Sequence, residues 1–194
     1  MKSVLLTSRL LDTTCAANVD ICTPLLDNLA TNLTLPTTCQ SDFNLGNPQI
    51  RQAQSGLLAY KPLYTATCLR NAKTSSYCFA DAVTNKTSPT DGYVYWIPLN
   101  NTMPADATPS CSQCLKDTMA VFSGAEAGGR DGKGGNKALG HTYPLAAQLI
   151  NKQCGPSFVG TSLSSAVVGA ADVKTIPSWM ALFSVLIGVA TWLL

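Results

Sequence analysis

Eight cysteines, Cys15, Cys22, Cys39, Cys68, Cys78, Cys111, Cys114 and Cys154, run through most of this 194-residue chain. An even count spread in this way reads as a disulfide framework made in an oxidising compartment, with all eight sulfurs bridged. Geometry narrows the pairing a little. On one continuous helix Cys15 and Cys22 would stand about 10 Å apart, beyond the ~7 Å that a disulfide allows between Cα atoms. They must bond elsewhere unless the helix breaks between them. Cys68 and Cys78 flank a polar loop and could bond each other. The other pairings stay open.

Charged residues make up 12% of the chain, against about 25% in an average soluble domain, and Glu126 is the only glutamate. Ser, Thr and Asn stand where Lys and Glu usually stand. A net charge of +2 supplies no basic stripe, so nucleic acid is excluded as a partner. Three N-glycosylation sequons, beginning at Asn32, Asn85 and Asn100, fall in turn-like stretches that a transferase could reach.

The C-terminal segment Trp179 to Leu194 is apolar and uncharged over sixteen residues. As a helix it would reach about 24 Å, short of the ~30 Å hydrocarbon core. A polar spacer, Asp172 to Ser178, and the small residues Gly169-Ala170-Ala171 precede it. This order is that of a cleavable GPI-anchor signal, with Gly169 as the attachment residue and Ser164 or Ser165 as alternatives. A tail-anchored transmembrane helix is the rival reading. At the other end, Met1 to Leu6 begins like a signal peptide but meets Arg9 and Asp12 before an apolar region is complete. The expectation is therefore a truncated start. The organisation expected is a cysteine-rich extracellular domain over 1–160, a Ser/Gly/Ala-rich stalk with the anchor site over 161–171, and the anchor signal over 172–194.

Apolar spacing predicts a mainly α, small, disulfide-stapled and loop-rich fold with a hydrophobic tail helix. Residues 4–35 read as two helices broken near Cys22-Thr23-Pro24. Further helices are expected over 49–59, 111–127 and 143–153, with Pro62 ending or kinking the first of these. Leu115, Met119 and Phe122 are spaced by 4 and 3 in the second. Tyr93 to Ile97 is the best strand-like run. Residues 125–140 hold six glycines and read as a flexible loop.

Catalytic patterns are sparse. Cys111-Ser112-Gln113-Cys114 has the CxxC spacing of redox and zinc sites, yet no βαβ unit surrounds it and no second CxxC exists. Structural bridging is the favoured reading. His141 is the single histidine and is expected to be solvated or capping. Residues 128–135 resemble a phosphate loop but carry Ala127 and Gly134 where Gly and Ser or Thr are required. Asp81, Asp91 and Asp106 are the carboxylates available for glycoside hydrolysis. Tyr93, Tyr95 and Trp96 are candidate ligand contacts, since aromatics beside acids stack on sugars. No metal or cofactor is expected.

Six blocks, among them LDTTCAANVDIC at 11–22, PTDGYVYWIPL at 89–99, PSCSQCLKDTMAVFS at 109–123 and YPLAAQLINKQCGPSFV at 143–159, resemble a fungal family of GPI-anchored surface proteins classed as a domain of unknown function. The resemblance covers roughly residues 5–160. It implies a secreted, anchored, cysteine-rich helical domain and offers no catalytic residue. Family members also carry a signal peptide and a further cysteine-bearing helical segment ahead of 11–22. The function expected is that of a non-enzymatic cell-surface or cell-wall glycoprotein, structural, adhesive or ligand-binding. Its partners would be the membrane, through a GPI lipid or tail helix, and cell-wall polysaccharide. A polysaccharide-remodelling enzyme using the loop aspartates is the alternative.

Overall fold

A computed structural model describes residues 3–125 and 136–163. The elements are helical: α1 (Val4–Thr14), α2 (Val19–Leu33), α3 (Gln40–Asn44), α4 (Pro48–Leu58), α5 (Tyr60–Thr67), α6 (Cys78–Thr84), a 3₁₀ segment (Pro89–Leu99), α7 (Gln113–Ala125) and α8 (Lys137–Cys154). Among the described residues there is no strand, only an isolated antiparallel bridge between Arg70 and Tyr77. No helix among them is long and apolar enough to cross a membrane. The anchor candidates Gly169, Ser164 and Ser165, the spacer and the apolar tail lie outside the described residues, as do the glycines at 128–135.

The break in the N-terminal helical region falls at residues 15–18, earlier than Pro24. Asn18 decides this. Its Oδ1 accepts from the N–H groups of Asp20 and Ile21 at 3.1 and 3.2 Å and starts a new helix. Pro24 is then carried inside α2. It lies early enough that its missing N–H orphans only the Asp20 carbonyl, in an exposed first turn. Asn47 caps α4 in the same way, with Pro48 as the first helical residue. The chain breaks at Ala59, and Pro62 takes a place in the first turn of α5.

The strand-like reading of Tyr93 to Ile97 is overturned. The segment is a 3₁₀ helix, whose period is three residues. Val94 and Ile97 are buried, as are Tyr95 and Pro98, each pair three apart. Tyr93 and Trp96, also three apart, form the outer line. Asn100 ends the segment in a left-handed conformation with φ 64°. The expected loop over 125–140 is likewise shortened. α7 reaches Ala125 and α8 begins at Lys137, capped by Asn136, whose Oδ1 accepts from the Ala138 N–H at 3.0 Å. His141 lies exposed in α8.

The main core is built by the second half of the chain. Val94 and Ile97 meet Leu115, Met119 and Phe122 of α7 and Leu139, Tyr143, Ala147 and Ile150 of α8. Asn136 Nδ2 and Thr142 Oγ1 donate to the Pro98 and Ile97 carbonyls at 2.8 and 2.7 Å, joining α8 to the 3₁₀ segment. A smaller cluster of Leu11, Tyr77 and Ala80 seats α1.

Three disulfides staple this arrangement: Cys15–Cys68, Cys78–Cys114 and Cys111–Cys154. Cys68 and Cys78 are therefore not bonded to each other, because α1 brings Cys15 to the end of α5 while α6 lays Cys78 against the start of α7. The expectation that all eight cysteines are bridged is also corrected, since Cys22 and Cys39 carry free thiols.

Candidate functional site

A cavity of about 130 Å³ opens where α6, the 3₁₀ segment and the start of α7 converge. Cys78, Asp81 and Ala82 reach it from one face of α6, at the helical spacing of three and four, and Asn85 joins them from just beyond its end. Asp91 and Val94, three apart in the 3₁₀ segment, form the facing wall. Ser110 and Ser112 close it from the approach to α7, where the Ser112 hydroxyl accepts from the Leu115 N–H at 3.1 Å and so starts that helix.

Two carboxylates organise this space. Asp81 accepts from the Ser76 hydroxyl at 2.7 Å on both oxygens and from the Asn71 amide at 3.0 Å. On Asp91, Oδ1 accepts the Ser110 N–H at 2.6 Å and the Ser88 hydroxyl at 2.8 Å, and Oδ2 accepts the Asn85 amide at 2.7 Å. Asp91 thereby ties the end of α6 and the 3₁₀ segment to the strap that leads into α7. The single proton of the buried Ser88 hydroxyl is shared between Asp91 and the Thr108 carbonyl, which lies at 2.7 Å. Each carboxylate still has acceptor capacity for a hydrogen-bond donor entering the cavity. The structure thus brings Asp81 and Asp91 to one place and leaves Asp106 out, exposed in a separate turn.

Behind them stands Tyr95. Burial pushes its phenol up to about 12, and the carboxylates of Asp81 and Asp91 push in the same direction. The Thr118 hydrogen bond, at 3.2 Å, acts the other way. The neutral phenol packs edge-on against Phe79, with ring centroids 4.8 Å apart. At 4% exposure Tyr95 is a core residue that lines the inner wall of the cavity. The three aromatic candidates therefore separate. Trp96, 46% exposed, and Tyr93 lie with ring centroids 4.4 Å apart and form an outward platform.

The CxxC pair is divided between two bridges. Cys111 bonds Cys154 at the end of α8, and Cys114 bonds Cys78 in the cavity wall. Both sulfurs are spent on joining helices, as the structural reading expects. Among the described residues no group of His, Cys, Asp or Glu is placed to hold a metal ion.

The sequons differ in kind. Asn32 and Asn100 are exposed, and neither side chain hydrogen-bonds to any described residue. Asn85 is half-buried. Its Nδ2, the atom to which an N-linked glycan attaches, donates to Asp91 and to the Ser110 hydroxyl at 3.2 Å. Its Oδ1 accepts from the Thr87 hydroxyl and N–H at 2.6 and 3.0 Å. The same Asn-x-Thr spacing that marks a sequon here builds a turn. Asn71, Ser76, Ser88 and Ser110 escaped the sequence reading altogether. Their only signal is an excess of small hydrogen-bonding residues around the two aspartates.

A family model described as a domain of unknown function (DUF7729) matches residues 1–163. No curated protein and no solved structure matches the chain.

Proposed function

We propose that this chain, which belongs to that family, is a GPI-anchored glycoprotein of a fungal cell surface or cell wall that binds wall polysaccharide without turning it over. The observation that carries the reading is the set of three disulfides, which suits a protein matured outside the reducing cytosol. The small–spacer–apolar order of residues 169–194 supplies the anchor signal, with Gly169 as the attachment residue. The Tyr93–Trp96 platform supplies a stacking surface for sugar rings.

Treatment of intact cells with phosphatidylinositol-specific phospholipase C tests the anchor. Release of a glycosylated species lacking Trp179 to Leu194 is expected. Retention with the tail attached would establish the tail-anchored membrane protein instead. Sedimentation of the Trp96→Ala variant with wall glucan, chitin and mannan tests the platform, and undiminished binding would remove it as the contact.

A second reading rests on Asp81 and Asp91 sharing one cavity. Turnover of a polysaccharide by the purified domain, lost in Asp81→Asn or Asp91→Asn, would make it a wall-remodelling enzyme. Against that stands the use of both carboxylates as hydrogen-bond acceptors for neighbouring loops.

A further inference from the structure

The Thr23 hydroxyl is the one buried side-chain polar atom among the described residues that finds no hydrogen-bond partner. A group left in that state has given up its hydration for nothing, so its position calls for a reason. It lines a cavity of about 330 Å³ between α2, α5 and α7, which shares no lining residue with the cavity of Asp81 and Asp91. Thr23 and Asp27, four apart on one face of α2, form one side, and Lys61 of α5 stands opposite. Leu58, Pro62 and Val121 supply an apolar wall. On α7 the Cβ position of Gly124 faces open space, with nothing within 4 Å.

Two opposite charges meet this space without using each other. The backbone carbonyls of Asp27 and Lys61 accept the Thr31 and Thr65 hydroxyls, each at 3.0 Å. Their side chains form no ion pair, and neither the carboxylate nor the ammonium has a hydrogen-bond partner among the described residues. Burial pushes the Asp27 carboxyl up, and the Lys61 ammonium pulls it back only in part. The carboxylate has lost water and gained no donor in exchange.

We propose that this cavity binds a small zwitterion, an ammonium and a carboxylate on one apolar body, which is the chemistry of a free apolar amino acid. The ligand ammonium meets Asp27 and its carboxylate meets Lys61. Its side chain lies on Leu58, Pro62 and Val121. The Thr23 hydroxyl, which can donate or accept, gains a partner from the charged end nearest it. Charge decides the class of ligand. A simple cation would leave Lys61 unanswered, a simple anion would leave Asp27 unanswered, and an uncharged sugar would leave both. The volume lies at the lower end of the about 300–1,000 Å³ of small-molecule sites.

Titration of the purified, disulfide-bonded full chain with leucine, followed by amide chemical shifts, tests this. Saturable shifts centred on Thr23, Asp27, Lys61 and Val121 are expected. Isocaproate is leucine without its ammonium, and isoamylamine is leucine without its carboxylate. Each should bind the parent chain at least fivefold more weakly than leucine. Asp27→Asn should erase the advantage of leucine over isocaproate, and Lys61→Met its advantage over isoamylamine. Thr23→Val should raise the denaturant midpoint of the free chain, because it deletes the unpaired hydroxyl, and weaken leucine binding at least threefold. Absence of saturable shifts at these residues overturns the proposal. So does equal affinity for leucine and its two truncated analogues, or an affinity indifferent to Asp27→Asn and Lys61→Met. The analogue comparison uses the unaltered chain, so it decides even where a variant fails to fold.

Discussion

The side-chain amide of Asn85 donates to Oδ2 of Asp91 at 2.7 Å, so one of the three sequon nitrogens is held inside the fold. Glycopeptide mass spectrometry of the protein expressed through a secretory pathway should find glycan on Asn32 and Asn100 and bare Asn85. A fully occupied Asn85 would mean that the hydrogen bonds to Asp91 and Ser110 do not form in the mature protein.

Asp91 and Asp106 should behave differently on truncation. Asp91→Ala strands the Ser110 N–H and takes one acceptor each from the Ser88 hydroxyl and the Asn85 amide, which keep the Thr108 carbonyl and the Ser110 hydroxyl, and should cost on the order of 2 kcal/mol. Asp106→Ala, at an exposed turn, should stay within about 0.5 kcal/mol of the parent. Denaturant midpoints at constant slope measure both. Equal effects would show that the carboxylate network adds nothing to stability.

Cys15–Cys68 closes 53 residues, and loop entropy alone values it at about 4 kcal/mol. Its loss should be felt locally. Apart from this bridge, α1 is held by the small Leu11 cluster, by Asp12 on the Tyr77 hydroxyl at 2.8 Å, and by an exposed Asp12–Arg70 pair. Hydrogen exchange of the Cys15→Ser/Cys68→Ser double variant should show lost protection in α1 with α7 and α8 unchanged. Uniform loss across all helices would contradict a separately seated α1.

Alkaline pH should destabilise the domain through Tyr95. Its folded value of about 12 lies above the ordinary 10, so the contribution is complete below about pH 10 and is lost between about 10 and about 12. The loss should be on the order of 2–3 kcal/mol. Tyr95→Phe should flatten that part of the stability curve, measured by denaturant unfolding at stepped pH. An unchanged curve would assign the effect to other tyrosines.

Much of the helical scaffold was legible because its apolar spacing is regular. Leu115, Met119 and Phe122 announce α7 and are all buried. The 3₁₀ segment was misread because the β-branched and aromatic residues that favour strands also suit a period of three, and Val94, Tyr95 and Ile97 satisfy both. The start of α8 was hidden among glycines, since its determinant is a single Asn136 that caps the helix and bonds the Pro98 carbonyl 38 residues away. Leucine content around 4–35 told of helices but not of burial, and Leu5, Leu6 and Leu10 are exposed. The cavity was half legible. Asp81 and Asp91 stood out as acids, but the serines and asparagines that engage them lie 3 to 19 residues away through loops whose closure spacing does not encode.

The disulfide pattern divides the chain into two covalent blocks. One bridge lies wholly before residue 69 and two lie wholly after residue 77, so no sulfur link crosses the stretch between. In any oxidising lumen that such a polypeptide enters N-terminus first, the first ring can be sealed once Cys68 has entered, before the second block exists. A single proteolytic nick between Leu69 and Tyr77 would leave two pieces joined only by packing, and denaturant without reductant would part them. A nick anywhere between Cys114 and Cys154 would separate nothing, because Cys111–Cys154 spans it.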